Sequence, residues 1–168
     1  MINLFDNFFS ADELKEIDNF IDTTKNNFEW RTSFAWDNNI KYGVDNLTLC
    51  RKAPNFVFDK LQKHFNTNKY ISTMIYLWFP NSHIAWHNDT HAQFAGTIYL
   101  NENWNVNHGG YFMYSKSNEF EFSTDNLRTI IPQYNMMLVN SGNTPHCVTP
   151  TISTAGIRKT IQFFIKEL

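Results

Sequence analysis

A mainly β domain with helices at its N-terminal end is the fold class this sequence predicts. Three observations predict it. From residue 70 onward the segments "YISTMIYLWF", "QFAGTIYLN", "GGYFMYS", "NMMLVN" and "RKTIQFFI" are short, rich in β-branched and aromatic residues, and separated by Gly, Pro, Asn and Ser. Many short strands with turn signals between them belong to a sandwich or barrel. Before residue 70 the apolar residues recur instead at helical spacing. The length of 168 residues, 42% hydrophobic with sixteen Phe, provides one domain with a sizeable core.

The elements follow in order. "SADE" at 10–13 is a capping box, with Ser10 as N-cap and Glu13 three residues on. Leu14, Ile17 and Ile21 continue it as a helix ending near Thr24. A second helix runs from Pro54, a residue suited to a first turn, through Phe65, with Phe58, Leu61 and Phe65 as its stripe. Pro80 and the turn-like "PNS" break the chain before "HIAWHND", which reads as a short strand after a turn. The whole chain, 1–168, reads as one domain, with 1–69 as a helical support region and 70–168 as the β core.

The charge balance narrows the function classes. A formal net charge of −2 argues against a nucleic-acid partner, which needs a basic face. Cys50 and Cys147 form neither a disulfide framework nor a CxxC pair, so the expected setting is reduced and cytoplasmic. No signal peptide is read in "MINLFDNFFSADEL", and no run approaches the roughly 18 apolar residues of a membrane span, so no membrane partner is expected.

The chemistry concentrates in "WHNDTH", 86–91. On a strand, residues two apart point the same way, so His87 and Asp89 project together as a pair of ligands. His83, His87 and His91 also recur every four residues, as at a helical zinc site. That arrangement lacks its glutamate, because position 84 is Ile, and Pro80 places the segment in a strand context. His146 enters a new strand after "NMMLVN" and the turn "SGN", and in a closed β structure it can return beside His87 and Asp89. Two histidines and a carboxylate form the facial triad of non-haem Fe(II) oxygenases, which leaves positions open for a co-substrate and O₂. A 2-oxoglutarate co-substrate needs a fixed cation for its far carboxylate, and arginine's fork suits it. Arg158 stands twelve residues after His146, with Thr160 and Gln162 on the same face of the last strand.

This order of residues resembles the Fe(II)- and 2-oxoglutarate-dependent dioxygenases, in particular their prolyl 4-hydroxylase-like branch. "TIYLNENWNVNHGGYFMYS" is similar to that branch's "YLN … GG" segment, most of all to the oxygen-sensing prolyl hydroxylases, and the likeness spans about residues 70–166. It implies a double-stranded β-helix, or jelly roll, with Fe(II) held by His87, Asp89 and His146. Arg158 and Tyr99 would bind the distal carboxylate of 2-oxoglutarate. O₂ would convert 2-oxoglutarate to succinate and CO₂ while a C–H bond, first of all in a prolyl residue of a peptide or protein, is hydroxylated, with ascorbate supporting activity. The carboxylate of Asp89 favours hydroxylation over halogenation.

Two departures stand out. Phe79 occupies the turn where the family often has a tyrosine, leaving Tyr76 as a substitute, and "TPTISTAG" lengthens the path from His146 to Arg158. A free amino acid or other small molecule is the alternative substrate. A cupin-like metal-binding module without catalysis and a structural jelly roll are the alternatives of other classes. Taken singly, His146 reads as a core histidine, Tyr99 as a core aromatic and Arg158 as a solvated strand residue; only the set reverses this. Cys147 is expected to point away from the metal.

Overall fold

The computed structural model of the chain describes residues 2–32, 47–117 and 119–166. The elements run β1 (Ile2–Phe5), α1 (Ala11–Thr24), β2 (Glu29–Thr32), β3 (Leu47–Lys52), α2 (Asn55–Phe65), β4 (Tyr70–Trp78), β5 (Ile84–His87), β6 (Phe94–Tyr99), β7 (Phe112–Ser115), β8 (Leu127–Ile130), β9 (Met137–Ser141), β10 (His146–Val148) and β11 (Arg158–Lys166). They form a seven-stranded sheet, β1-β9-β6-β11-β4-β3-β2, and a four-stranded sheet, β5-β10-β7-β8. All pairings are antiparallel. The fold is mainly β with N-terminal helices and a jelly-roll core.

The alternation of β4 and β11 divides the molecule into a packed side and an open side. Ile71, Ile75 and Leu77 of β4 and Ile161, Phe163 and Ile165 of β11 turn outward into one apolar cluster. Ile17 and Ile21 of α1 and Val57 and Leu61 of α2 close that cluster from the other side. The helices therefore bury one face of the large sheet, which is how an amphipathic stripe finds its partner. The other face carries Arg158, Thr160, Gln162, Phe164 and Lys166, as the period of two requires. Across it lies the small sheet, and the site is in between.

The helix signals act as read. The Ser10 hydroxyl accepts from the Glu13 N–H, and the Glu13 carboxylate accepts from the Ser10 N–H at 2.7 Å. Helix α2 begins one residue later than expected: Pro54 is extended and serves as the residue before the first turn. Residues 1–69 are more than a helical support. They contribute β1, which pairs with β9, and β2 and β3, which extend the large sheet beyond β4. Strand β8 was likewise not expected. The strand around "HIAWHND" is shorter than expected, ending at His87, so Asp89 is not on it.

Candidate metal centre

His87 closes β5, His146 opens β10, and the two are direct cross-strand partners. Antiparallel register thus joins residues far apart in sequence, with ring centroids 4.2 Å apart. In each ring Nδ1 meets the carbonyl oxygen two residues back, Ala85 for His87 and Thr144 for His146, both at 2.8 Å. Bonding of this kind fixes the tautomer: Nδ1 carries the proton and Nε2 keeps its lone pair. Phe112 of β7 stacks on His146 at 4.9 Å and 22° and holds that ring in place.

Asp89 reaches the same point by another route. Its N–H donates to the Gly142 carbonyl at 2.8 Å, and its own carbonyl accepts from Ala92 at 2.8 Å. This turn brings the carboxylate 3.7 Å from His87 Nε2 and 3.5 Å from His146 Nε2. The shared face expected from strand alternation is therefore reached by a turn after the strand. One ligand atom from each of the three residues lies within 4.8 Å of the others, a spacing one ion can bridge. Asp89 is only 7% exposed, so it is not half of a surface ion pair. Burial and the neighbouring His87 push His146 down to about 4, so it is neutral near pH 7, the form that ligates a metal.

Gly142 holds the Asp89 turn. A Cβ built there would stand 1.9 Å from the Ala92 carbonyl oxygen and 2.7 Å from that of Asp89. Both contacts are to main chain, so a side chain can fit only by moving the turn. Gly142→Ala is expected to weaken metal binding by about 10–100-fold, as for partners that orient ligands. Isothermal titration of Fe(II) under anaerobic conditions checks this, and unchanged affinity would show that the turn has slack.

The cluster opens on a cavity of about 700 Å³, within the range of small-ligand and cofactor sites. Tyr76 lines it, whereas Phe79 does not, so of the two only Tyr76 faces the site. Val148 also lines the cavity, while Cys147 between His146 and Val148 is buried away from it. Burial pushes its thiol up to about 12, which leaves it protonated and inert. His91 stands exposed on the cavity wall against the Phe164 ring, 4.9 Å between centroids. His64 packs edge-on to Phe5, Phe8 and Phe65, and His108 to Trp104.

Arg158 and Tyr99 come together on the paired strands β11 and β6. Register pairs Thr160 of β11 with Tyr99 of β6 and Arg158 with Trp78 of β4. The Arg158 guanidinium lies over the Tyr99 ring, 5.4 Å from its centroid. Arg158 is 4% exposed, and among the described residues no group meets its Nε or the Tyr99 hydroxyl in good hydrogen-bond geometry, although guanidinium and phenol lie close enough to act on each other. Burial raises the Tyr99 pKa, with the guanidinium charge acting the other way. Gly110 makes room for this pair: its φ is +71°, and a Cβ there would be 3.2 Å from Arg158 Cδ. That is the physical content of the glycine pair in the sequence. Gly142 and Phe112 were not singled out from the sequence as parts of the site. Their roles depend on long-range packing, and the only local trace was the turn signal "SGN" and the apolar position after "GGY".

Comparison with known proteins shows the family and the fold. The family model of the 2OG-Fe(II) oxygenase superfamily matches residues 58–166. A prolyl-4-hydroxylase of Pseudomonas putida superimposes with a TM-score of 0.71 at 12% identity, covering 99% of this chain and 92% of its own. A prolyl hydroxylase of Trichoplax adhaerens, in complex with a hypoxia inducible factor peptide fragment, gives 0.73 at 15% identity over 98% and 83%. HygX of Streptomyces hygroscopicus, with nickel, 2-oxoglutarate and hygromycin B bound, gives 0.63 at 11% over 99% and 83%. No curated protein sequence matches the chain. With its family model matched over most of its length, the chain belongs to the 2OG-Fe(II) oxygenase superfamily.

Proposed function

We propose that this chain hydroxylates a prolyl residue in a peptide or protein, coupled to conversion of 2-oxoglutarate and O₂ to succinate and CO₂. The observation that carries the reading is the convergence of His87, Asp89 and His146 on the wall of a deep cleft. The donor set fits Fe(II): two imidazoles that each turn Nδ1 to a main-chain carbonyl and leave Nε2 for the ion, and one carboxylate, with the remaining sides open. The Arg158 Nε and the Tyr99 hydroxyl, buried side by side and not hydrogen-bonded in good geometry among the described residues, fit a carboxylate. When bound, the iron supplies O₂ activation and the oxidising power for the C–H bond. The chain's residues hold the ion, keep both histidines in one tautomer, anchor the co-substrate by its far end, and wall the site from water. Residues 70–168 form the catalytic unit in this reading, supported by 1–69.

The prolyl assignment draws on the two prolyl hydroxylases among the structural neighbours. A small-molecule substrate is the second reading, favoured by HygX, whose structure holds hygromycin B. No helix of the described residues is long and apolar enough to cross a membrane. The buried thiols of Cys50 and Cys147, in no disulfide, suit the reducing cytoplasm.

The test is succinate formation by protein supplied with Fe(II), ascorbate and 2-oxoglutarate, with and without proline-containing peptides. Peptide-stimulated turnover that is absent from His87→Ala is the expected result. Stimulation by amino acids or other small molecules but by no peptide would select the second reading.

A further inference from the structure

The cleft contains a polar group with no task in holding iron or co-substrate. Gln162 lies on β11 two positions beyond Thr160, on the face that lines the cavity, and is 8% exposed. Among the described residues its Oε1 has no hydrogen-bond partner, and the atom is closed off in this structure, so a donor in the cavity reaches it once the side chain turns outward. A buried acceptor left unpaired is costly, and such atoms are few in a folded protein. An acceptor on a cavity wall is satisfied when the occupant donates. 2-Oxoglutarate as a dianion has only acceptor oxygens, so it cannot be that donor. The occupant that fits is a substrate carrying a donor, N–H or O–H, and in a peptide that donor is a backbone N–H.

The mouth of the same cavity shows what surrounds that N–H. Trp86 of β5 and Phe120 of the β7–β8 connection both line the cavity. Phe122 sits beside Trp86 at 4.8 Å and beside Phe120 at 6.4 Å between centroids. Phe120 and Phe122 are 49% and 52% exposed, so three aromatic rings stand at an opening with two of them half uncovered. Clustered exposed aromatics of this kind mark a binding surface more often than chance. Flat rings suit the ring of a prolyl residue or other compact apolar side chain, and they ask for no hydrogen bond from a proline nitrogen that has none to donate.

We propose that Gln162 selects the substrate by accepting a backbone N–H of a peptide, while Trp86, Phe120 and Phe122 grip the apolar residue next to it. This rests on the peptide hydroxylase reading above. Gln162 is a specificity residue here, and the iron and co-substrate machinery works without it. Gln162→Met keeps the length and bulk of the side chain and removes the acceptor.

The experiment uses the iron-loaded full chain and the best proline-containing peptide from the succinate assay. A second peptide carries an ester in place of each backbone amide in turn, which deletes one N–H at a time. The Met variant is expected to raise the peptide KM at least tenfold, with Fe(II) affinity, 2-oxoglutarate KM and peptide-independent succinate formation all within twofold. One ester peptide is expected to be penalised in the wild type and not in the variant. Phe122→Ala is expected to raise the peptide KM in the same selective way. An unchanged peptide KM in Gln162→Met, or equal ester penalties in both proteins, overturns the role of Gln162 while leaving peptide hydroxylation standing. A wild type that forms succinate but accepts no peptide overturns both.

Discussion

Asp89→Ala is expected to abolish Fe(II) binding while leaving the apo-protein folded. In the proposed centre the carboxylate is one of three groups on the ion, and losing even an outer partner of a ligand commonly costs about 10–100-fold in affinity, so losing the ligand itself costs more than ~100-fold. The fold has little to lose. The bonds that shape the Asp89 turn, to Gly142 and from Ala92, are main-chain bonds and survive the substitution. The removed carboxylate is buried beside His146, which is neutral near pH 7, so no full ion pair with that ring is broken. The readout is thermal unfolding with and without Fe(II) under anaerobic conditions. At a metal concentration of 100 times Kd, the wild type gains about 2.7 kcal/mol. For a domain of this size that is a rise of about 5–10 °C. The variant should unfold near the apo wild-type temperature and show no rise. An iron-dependent rise that survives in Asp89→Ala would remove Asp89 from the ligand set, and a variant that fails to fold would show the turn itself depends on the carboxylate.

Arg158→Met is expected to cost most at the co-substrate. Truncating one partner of a buried hydrogen-bonded charge pair costs about 2–5 kcal/mol, so the 2-oxoglutarate Kd should rise by roughly 30-fold to several thousand-fold. Fe(II) affinity should hold, because Arg158 touches none of the three ligands. The apo-protein should be no less stable than wild type. Arg158 is buried with its Nε unpaired, and among the described residues no carboxylate pairs with it, so methionine removes an uncompensated charge and keeps the packing over Tyr99. Opposite signs for apo-stability and co-substrate affinity are what separate a binding role from a structural one. An unchanged 2-oxoglutarate Kd would move the co-substrate elsewhere in the cleft.

The sequence alone determined the local features and the ligand set to be tested. Ser10 and Glu13 close the first helix through contacts three residues apart, and Ile17 and Ile21 fall on its buried stripe. The period of two in "RKTIQFFIK" separates Arg158 and Gln162 from Ile161 and Phe163, and the fold keeps that separation. The ordered series His87, Asp89, Tyr99, the glycine pair, His146 and Arg158 was legible because each member is a chemically specific residue type.

Tertiary structure decided everything that depends on pairing across the chain. Strands β1, β2 and β8 span four residues each, and their strand character comes from neighbours far along the sequence rather than from their own residues. Asp89 lies beyond its strand and reaches the histidines because Gly142, 53 residues on, can approach without a Cβ. Only the assembled sheets show that Tyr76 and not Phe79 faces the cleft, and that Gln162, one more polar residue in a strand when read from the sequence, stands buried on its wall with an unpaired oxygen. A residue's type and spacing are local properties written in the chain, whereas burial and the identity of a hydrogen-bond partner are properties of the packed whole.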